Sequence, residues 1–206
     1  MESKKYLMPT PGGSYYFVQD SEKTEHREVI RRLVNYSSSL ELSEKNLMEI
    51  FNVKSSESLK DKLKEFENLK LIQVVDNQFH VPVGNIEEDL VNIIKFFSKN
   101  GKALLSDSQG FCVANNGFPS EMSDEISVLS ADIAMMHKRR ALGINSRLGL
   151  NSQAWSIVDA SGNSRLGFWP LNIEDEVFVL AVEGVPSFNR PEFVELVWML
   201  YLRYGK

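Results

Sequence analysis

Two short turns of the same chemistry, Asp107-Ser108-Gln109-Gly110 and Asp159-Ala160-Ser161-Gly162, constrain the fold of this chain most strongly. An aspartate opening a turn accepts hydrogen bonds from backbone N–H groups further along it, and a glycine at its end takes the positive φ that closes a hairpin. The first turn lies between Ala103-Leu104-Leu105 and Phe111-Cys112-Val113; the second joins Trp155–Asp159 to Ser164–Trp169. A further apolar run, Val177 to Val182, has strand length and composition. Two hairpins and one more strand imply a five-stranded antiparallel sheet.

Helices punctuate this sheet. Asn85 and Glu88 are spaced as a capping box, and Ile86, Leu90, Ile93, Ile94 and Phe97 then form one apolar face ending near Gly101. Between the hairpins a long helix starts at Ser123 as its cap, with Asp124 and Glu125 at the positive end of its dipole. His137-Lys138-Arg139-Arg140 suit its negative end, before Gly143. Pro191 opens a terminal helix through Phe193, Leu196, Val197 and Leu200. Helices laid on an antiparallel sheet make an α+β layer fold.

This C-terminal order resembles the roadblock/LC7 family over residues 86–204. The resemblance rests on Ala103 to Phe111 with its Asp-x-x-Gly turn, on the helix Ser123 to Arg140, and on Phe178-Val179-Leu180-Ala181-Val182. GAF, PAS and longin-like domains carry a similar pattern. The resemblance implies a non-catalytic regulatory or scaffolding subunit, homodimeric through the long helix and an adjacent edge strand, and often working beside a small Ras-like GTPase.

The N-terminal half is organised differently. Val29, Ile30, Leu33 and Val34 recur at helical spacing between Thr24 and Tyr36. Ser43 caps a short helix carrying Leu47, Ile50 and Phe51, and Ser55 or Ser56 caps another carrying Leu59, Leu63, Phe66 and Leu69. Leu71 to Val75 and Phe79 to Val83 read as strands joined by Asp76-Asn77-Gln78. Three helices followed by a hairpin resemble a winged helix, although Lys70 stands where that family often has glycine. The expected organisation is an N-terminal extension at 1–20, in which Tyr15-Tyr16-Phe17-Val18 would add a strand, a winged-helix-like domain at 21–83, and a roadblock/LC7-like domain at 86–206.

Charge bears on function. The chain holds 23 basic and 28 acidic residues, net −5. The helix that would read DNA, Ser56 to Asn68, sets Lys60, Lys62 and Lys64 against Glu57, Asp61, Glu65 and Glu67, and has no arginine. Carboxylates against phosphates cost affinity, and bidentate base readers are nearly absent, so the helix argues against nucleic acid as a partner. The alternative function, a transcription regulator with a GAF-like effector-sensing domain, would need a basic face on that helix and an enclosed ligand pocket. The single Cys112 excludes an intramolecular disulfide and points to a cytoplasmic protein. No apolar run nears the ~18 residues of a membrane span, and prolines and glycines after Met8 interrupt any signal-peptide core.

Catalytic motifs are missing. The sequence has no phosphate-binding Gly-x-x-x-x-Gly-Lys-Ser/Thr loop, no Gly-x-Ser-x-Gly elbow and no His-Glu-x-x-His helix. His26, His80 and His137 fall on separate elements and read as ordinary histidines, and Cys112 as a buried inert thiol. No catalytic residue, cofactor or metal is expected. On the long helix, Met122, Ile126, Leu129, Ile133 and Met136 form an apolar stripe suited to the sheet. Beside it Ser127, Ser130, Ala131 and Ala134 form a small-residue stripe, which lies either against the chain's own loops or against a second copy. With Trp155 and Ile157 of the edge strand these four are the candidate dimer interface; Arg139, Arg140 and Trp169 are the candidate partner surface.

Overall fold

A computed structural model describes residues 4–82, 84–141, 143, 147–149 and 153–205. Two antiparallel sheets organise it. The C-terminal sheet has five strands, β4 (Ala103–Ser106), β5 (Cys112–Asn116), β6 (Trp155–Val158), β7 (Ser164–Ile173) and β8 (Glu176–Glu183), in the order β5-β4-β8-β7-β6. Both hairpin turns form as their chemistry dictates. Asp107 accepts from the N–H groups of Gln109 and Phe111, Asp159 from those of Ser161 and Asn163, and Gly110 and Gly162 take φ of 88° and 82°. β7 runs four residues past the expected Trp169.

One face of this sheet carries Leu104, Phe168, Val179 and Ala181, and α6 (Ser120–Met136) lies over it. The other face, with Leu105, Leu171, Phe178 and Leu180, is covered by α5 (Ile86–Ile94) and by α7 (Pro191–Tyr204), which has Pro191 in its first turn as expected. Two helix starts differ from the expected caps. Asn85 makes no side-chain cap bond, and α6 begins at Ser120, so Ser123 lies inside it and its hydroxyl donates to the Ser120 carbonyl.

The N-terminal sheet has the order β2-β1-β3, from β1 (Tyr6–Pro9), β2 (Leu40–Glu41) and β3 (Ile72–Val75). Its middle strand comes from the expected extension, which is thus part of the fold. Tyr15 to Val18 are helical rather than extended. They end α1 (Pro11–Val18), because the Thr10 hydroxyl caps the Gly13 N–H and Pro11 fits the first turn. Gly13 is obligatory by contact, since a Cβ there would sit 2.0 Å from the Leu71 carbonyl oxygen.

α2 (Glu25–Val34), α3 (Glu44–Phe51) and α4 (Ser56–Asn68) form as expected, capped by Thr24, Ser43 and Ser55. The strand expected at 79–83 does not form. β1 already pairs with β3, and the 79–81 segment instead meets residues 37–39, with Ser39 N–H donating to Phe79 and Val81 N–H to Ser37; Val83 lies outside the described residues. Lys70 adopts the left-handed conformation, φ 54°, that glycine takes most readily. Its carbonyl accepts the Thr10 hydroxyl, which holds the turn in place.

The apolar core crosses the expected boundary near Gly84 without a break. α1 packs on α7 and β7, and Trp198 of α7 donates its indole N–H to the Tyr36 carbonyl at 2.7 Å.

Candidate interaction surface

α6 faces its sheet with part of its apolar stripe, the buried Ile126 and the adjoining Ile133, and with the small-residue stripe beside it. Ser127 and Ser130 have no exposed surface and Ala131 has 8%, whereas Met122, Leu129 and Met136 stand out in solvent. Burying serines is cheap on a helix when each hydroxyl satisfies itself one turn back. Ser127 donates to the Ser123 carbonyl and Ser130 to that of Ile126. Small side chains also let the β4–β5 turn approach: a Cβ on Gly110 would lie 3.2 Å from the Val128 Cα. The small stripe therefore seats the helix on the chain's own sheet, and Ser127, Ser130 and Ala131 are closed to any second copy. Ala134 is half-buried at the margin.

The edge strand fares otherwise. All four residues of β6 are exposed, with Trp155 at 37% and Ile157 at 51%. Trp155 is paired with Phe168 and Ile157 with Leu166, so both project on the α6 side of the sheet, as cross-strand neighbours must. Met122 and Leu129 border the same face, lining a shallow depression with Leu166 and Arg165. Exposed strand and exposed helix flank thus lie on one side of the sheet, with Leu166 in the depression between them and Glu125, Arg165 and Glu183 lining it as well. Sequence reasoning found the strand residues but missed the helix flank.

Arg139 and Arg140 are exposed in the π-helical turn His137–Ala141 that ends α6. Trp169 is on the opposite sheet face, paired with Leu180, half-buried and edge-on to Phe188 at 5.2 Å between ring centroids. These three residues do not form one surface.

Two other expectations change. Cys112 is exposed, because β5 is the other edge strand; partial burial of its sulfur still raises the thiol pKa. His137 is 4% exposed, and its Nδ1 accepts the Trp155 indole N–H at 2.9 Å. An indole is only a donor, so the imidazole is neutral with its proton on Nε2. Burial holds the His137 pKa below the ordinary value, against the pull of Asp20. Nε2 is buried and has no partner among the described residues. His26, by contrast, is satisfied at Nε2 by Glu65 at 2.9 Å, and this bond lowers the Glu65 pKa.

On α4 the exposed Lys60 and Lys64 alternate with Glu57, Asp61 and Glu67, while Lys62 is paired with Glu25 at 2.8 Å. No basic face results. Among the described residues no cluster of three or more His, Cys, Asp or Glu side chains could hold a metal, and no helix is long and apolar enough to cross a membrane. Compared with protein-family models, curated proteins and solved structures, the chain gave no match.

Proposed function

We propose that this chain is a non-catalytic regulatory or scaffolding protein that works as a homodimer through the edge strand β6 and the outer flank of α6. The observation that carries this reading is the state of β6. Its sequence, Trp-Ser-Ile-Val, has no charge to discourage pairing, and no described strand covers its outer side. Monomeric proteins guard such edges with charges, prolines or bulges; β6 has neither charge nor proline, and its one irregularity, between Ile157 and Val158, leaves Trp155 to Ile157 in regular register. An antiparallel edge pairs with its own copy about a two-fold axis, the commonest symmetry of oligomers, and the partner strand would bring Met122 and Leu129 of the two copies towards one interface.

The order helix, hairpin, helix, three strands, helix supports a roadblock/LC7-like reading of the C-terminal module. The succession α2, α3, α4, β3, with Asn52 in a left-handed turn between α3 and α4, supports a winged-helix-like reading of the N-terminal one. Its mixed charge suits a protein partner better than DNA. The resemblance makes a small Ras-like GTPase the first partner class to try, acting through positioning of the GTPase's own groups.

Sedimentation velocity tests the dimer. The wild-type chain should sediment as a dimer at micromolar concentration and Ile157→Asp as a folded monomer. A wild-type monomer, or an Ile157→Asp dimer, would overturn the assignment.

A further inference from the structure

A cavity of about 530 Å³ opens between the end of α6, β7 and the loop after α1. Such a volume is in the range of small-molecule sites. Its lining carries both signs of charge. His137 and Lys138 share it with Asp20, whose carboxylate acts on the imidazole, and with Glu174 and Asp175, and no ion pair links any of these carboxylates to a described cation.

His137 makes this more than a cluster of acids. The ring is more than nine-tenths buried, its Nδ1 edge is turned to Trp155, which does not line the cavity, and its Nε2–H has no partner. A buried donor left unpaired is costly, and a ligand that brings an acceptor removes that cost. Within this lining three carboxylates stand against one lysine and favour a cation for the rest of the ligand. Lys23, Arg27 and Arg31 line the adjoining cavity, which shares the three carboxylates, and Arg27 and Arg31 are held there by the Tyr16 and Glu22 carbonyls and by Glu28, respectively.

We propose that this cavity binds a basic amino acid, its carboxylate accepting from His137 Nε2 and Lys138, and its guanidinium or ammonium lying among Asp20, Glu174 and Asp175. The ligand is either the free amino acid or the C-terminal residue of a peptide, which share this chemistry. The site stands apart from the proposed dimer, but the two touch: the imidazole that meets the ligand also holds Trp155 on β6.

Calorimetric titration of the whole chain tests the proposal. L-Arginine should bind saturably at one site per chain. Agmatine, which lacks the carboxylate, and citrulline, which lacks the cation, should each bind at least tenfold more weakly. Asp175→Asn, checked for folding by circular dichroism, should weaken arginine tenfold and leave citrulline unchanged. The indole N–H resonance of Trp155, identified by its loss in Trp155→Phe, should shift on saturation. Tighter binding of Gly-Gly-Arg than of arginine would make the source a peptide terminus; the reverse would make it the free amino acid. No saturable binding of either up to 10 mM, or equal binding of arginine, agmatine and citrulline, would overturn the site.

Discussion

Replacing Trp198 by Phe tests whether the two halves of the chain are energetically one body. Trp198 is fully buried in α7, donates to the Tyr36 carbonyl at 2.7 Å, and lies 5.5 Å, centroid to centroid, from Phe79. Both partners belong to the N-terminal half. Phenylalanine keeps an aromatic ring in the site but removes the donor, which leaves a backbone carbonyl unpaired at a cost of about 1–3 kcal/mol. The smaller ring also leaves a void worth about 1–2 kcal/mol. The expected loss is then ~2–5 kcal/mol. With a slope of roughly 2 kcal/mol per molar urea, the midpoint falls by about 1–2.5 M. Far-ultraviolet circular dichroism and the remaining tryptophan fluorescence should give one coincident transition in both proteins. A midpoint shift below about 0.3 M, or two separate transitions of which only one moves, would refute the reasoning.

Two further outcomes are expected. Lys70→Gly should raise stability by about 0.5–1 kcal/mol, because Lys70 holds a φ of 54° that glycine adopts without a Cβ clash; thermal unfolding measures it, and a lowered melting temperature would count against the strain. His137, whose pKa is depressed in the fold, contributes stability that is fully present above the ordinary histidine range and is lost as pH falls through the folded value. Denaturation midpoints of wild type and His137→Phe should therefore converge as pH drops from 7.5 to 5, since the imidazolium cannot accept the Trp155 N–H; parallel profiles would show that the ring titrates alike in the folded and unfolded chain and would refute the depressed pKa.

The elements that sequence reveals here are those whose cause is local. Asp107 with Gly110 and Asp159 with Gly162 make their turns with their own backbone, and Thr24, Ser43 and Ser55 cap the helices they immediately precede. What escapes is set by distant contacts. The exact side of α6 that faces the sheet could not be chosen from spacing, since the apolar and small stripes adjoin with the same period; the sheet takes Ile126 and Ile133 from the one and, because their hydroxyls bond one turn back, Ser127 and Ser130 from the other. α1 was hidden by Pro-Gly-Gly, which reads as loop until Gly13 is seen pressed on Leu71. The role of His137 depends on Trp155, eighteen residues on, and on a loop from the far end of the chain.

The place of β1 has a kinetic consequence. Pro9 pairs with Ile72, and β1 separates β2 from β3, so the small sheet has no contiguous hairpin from which to grow. Joining β1 to β3 closes a loop of roughly 60 residues, an entropic cost of about 4 kcal/mol before any ladder hydrogen bond offsets it. α2, α3 and α4 lie within that loop and shorten it by folding first. Refolding of this sheet should therefore wait on the helices, and variants that weaken Phe66 at their centre should slow the arrival of β1, which docks on α2.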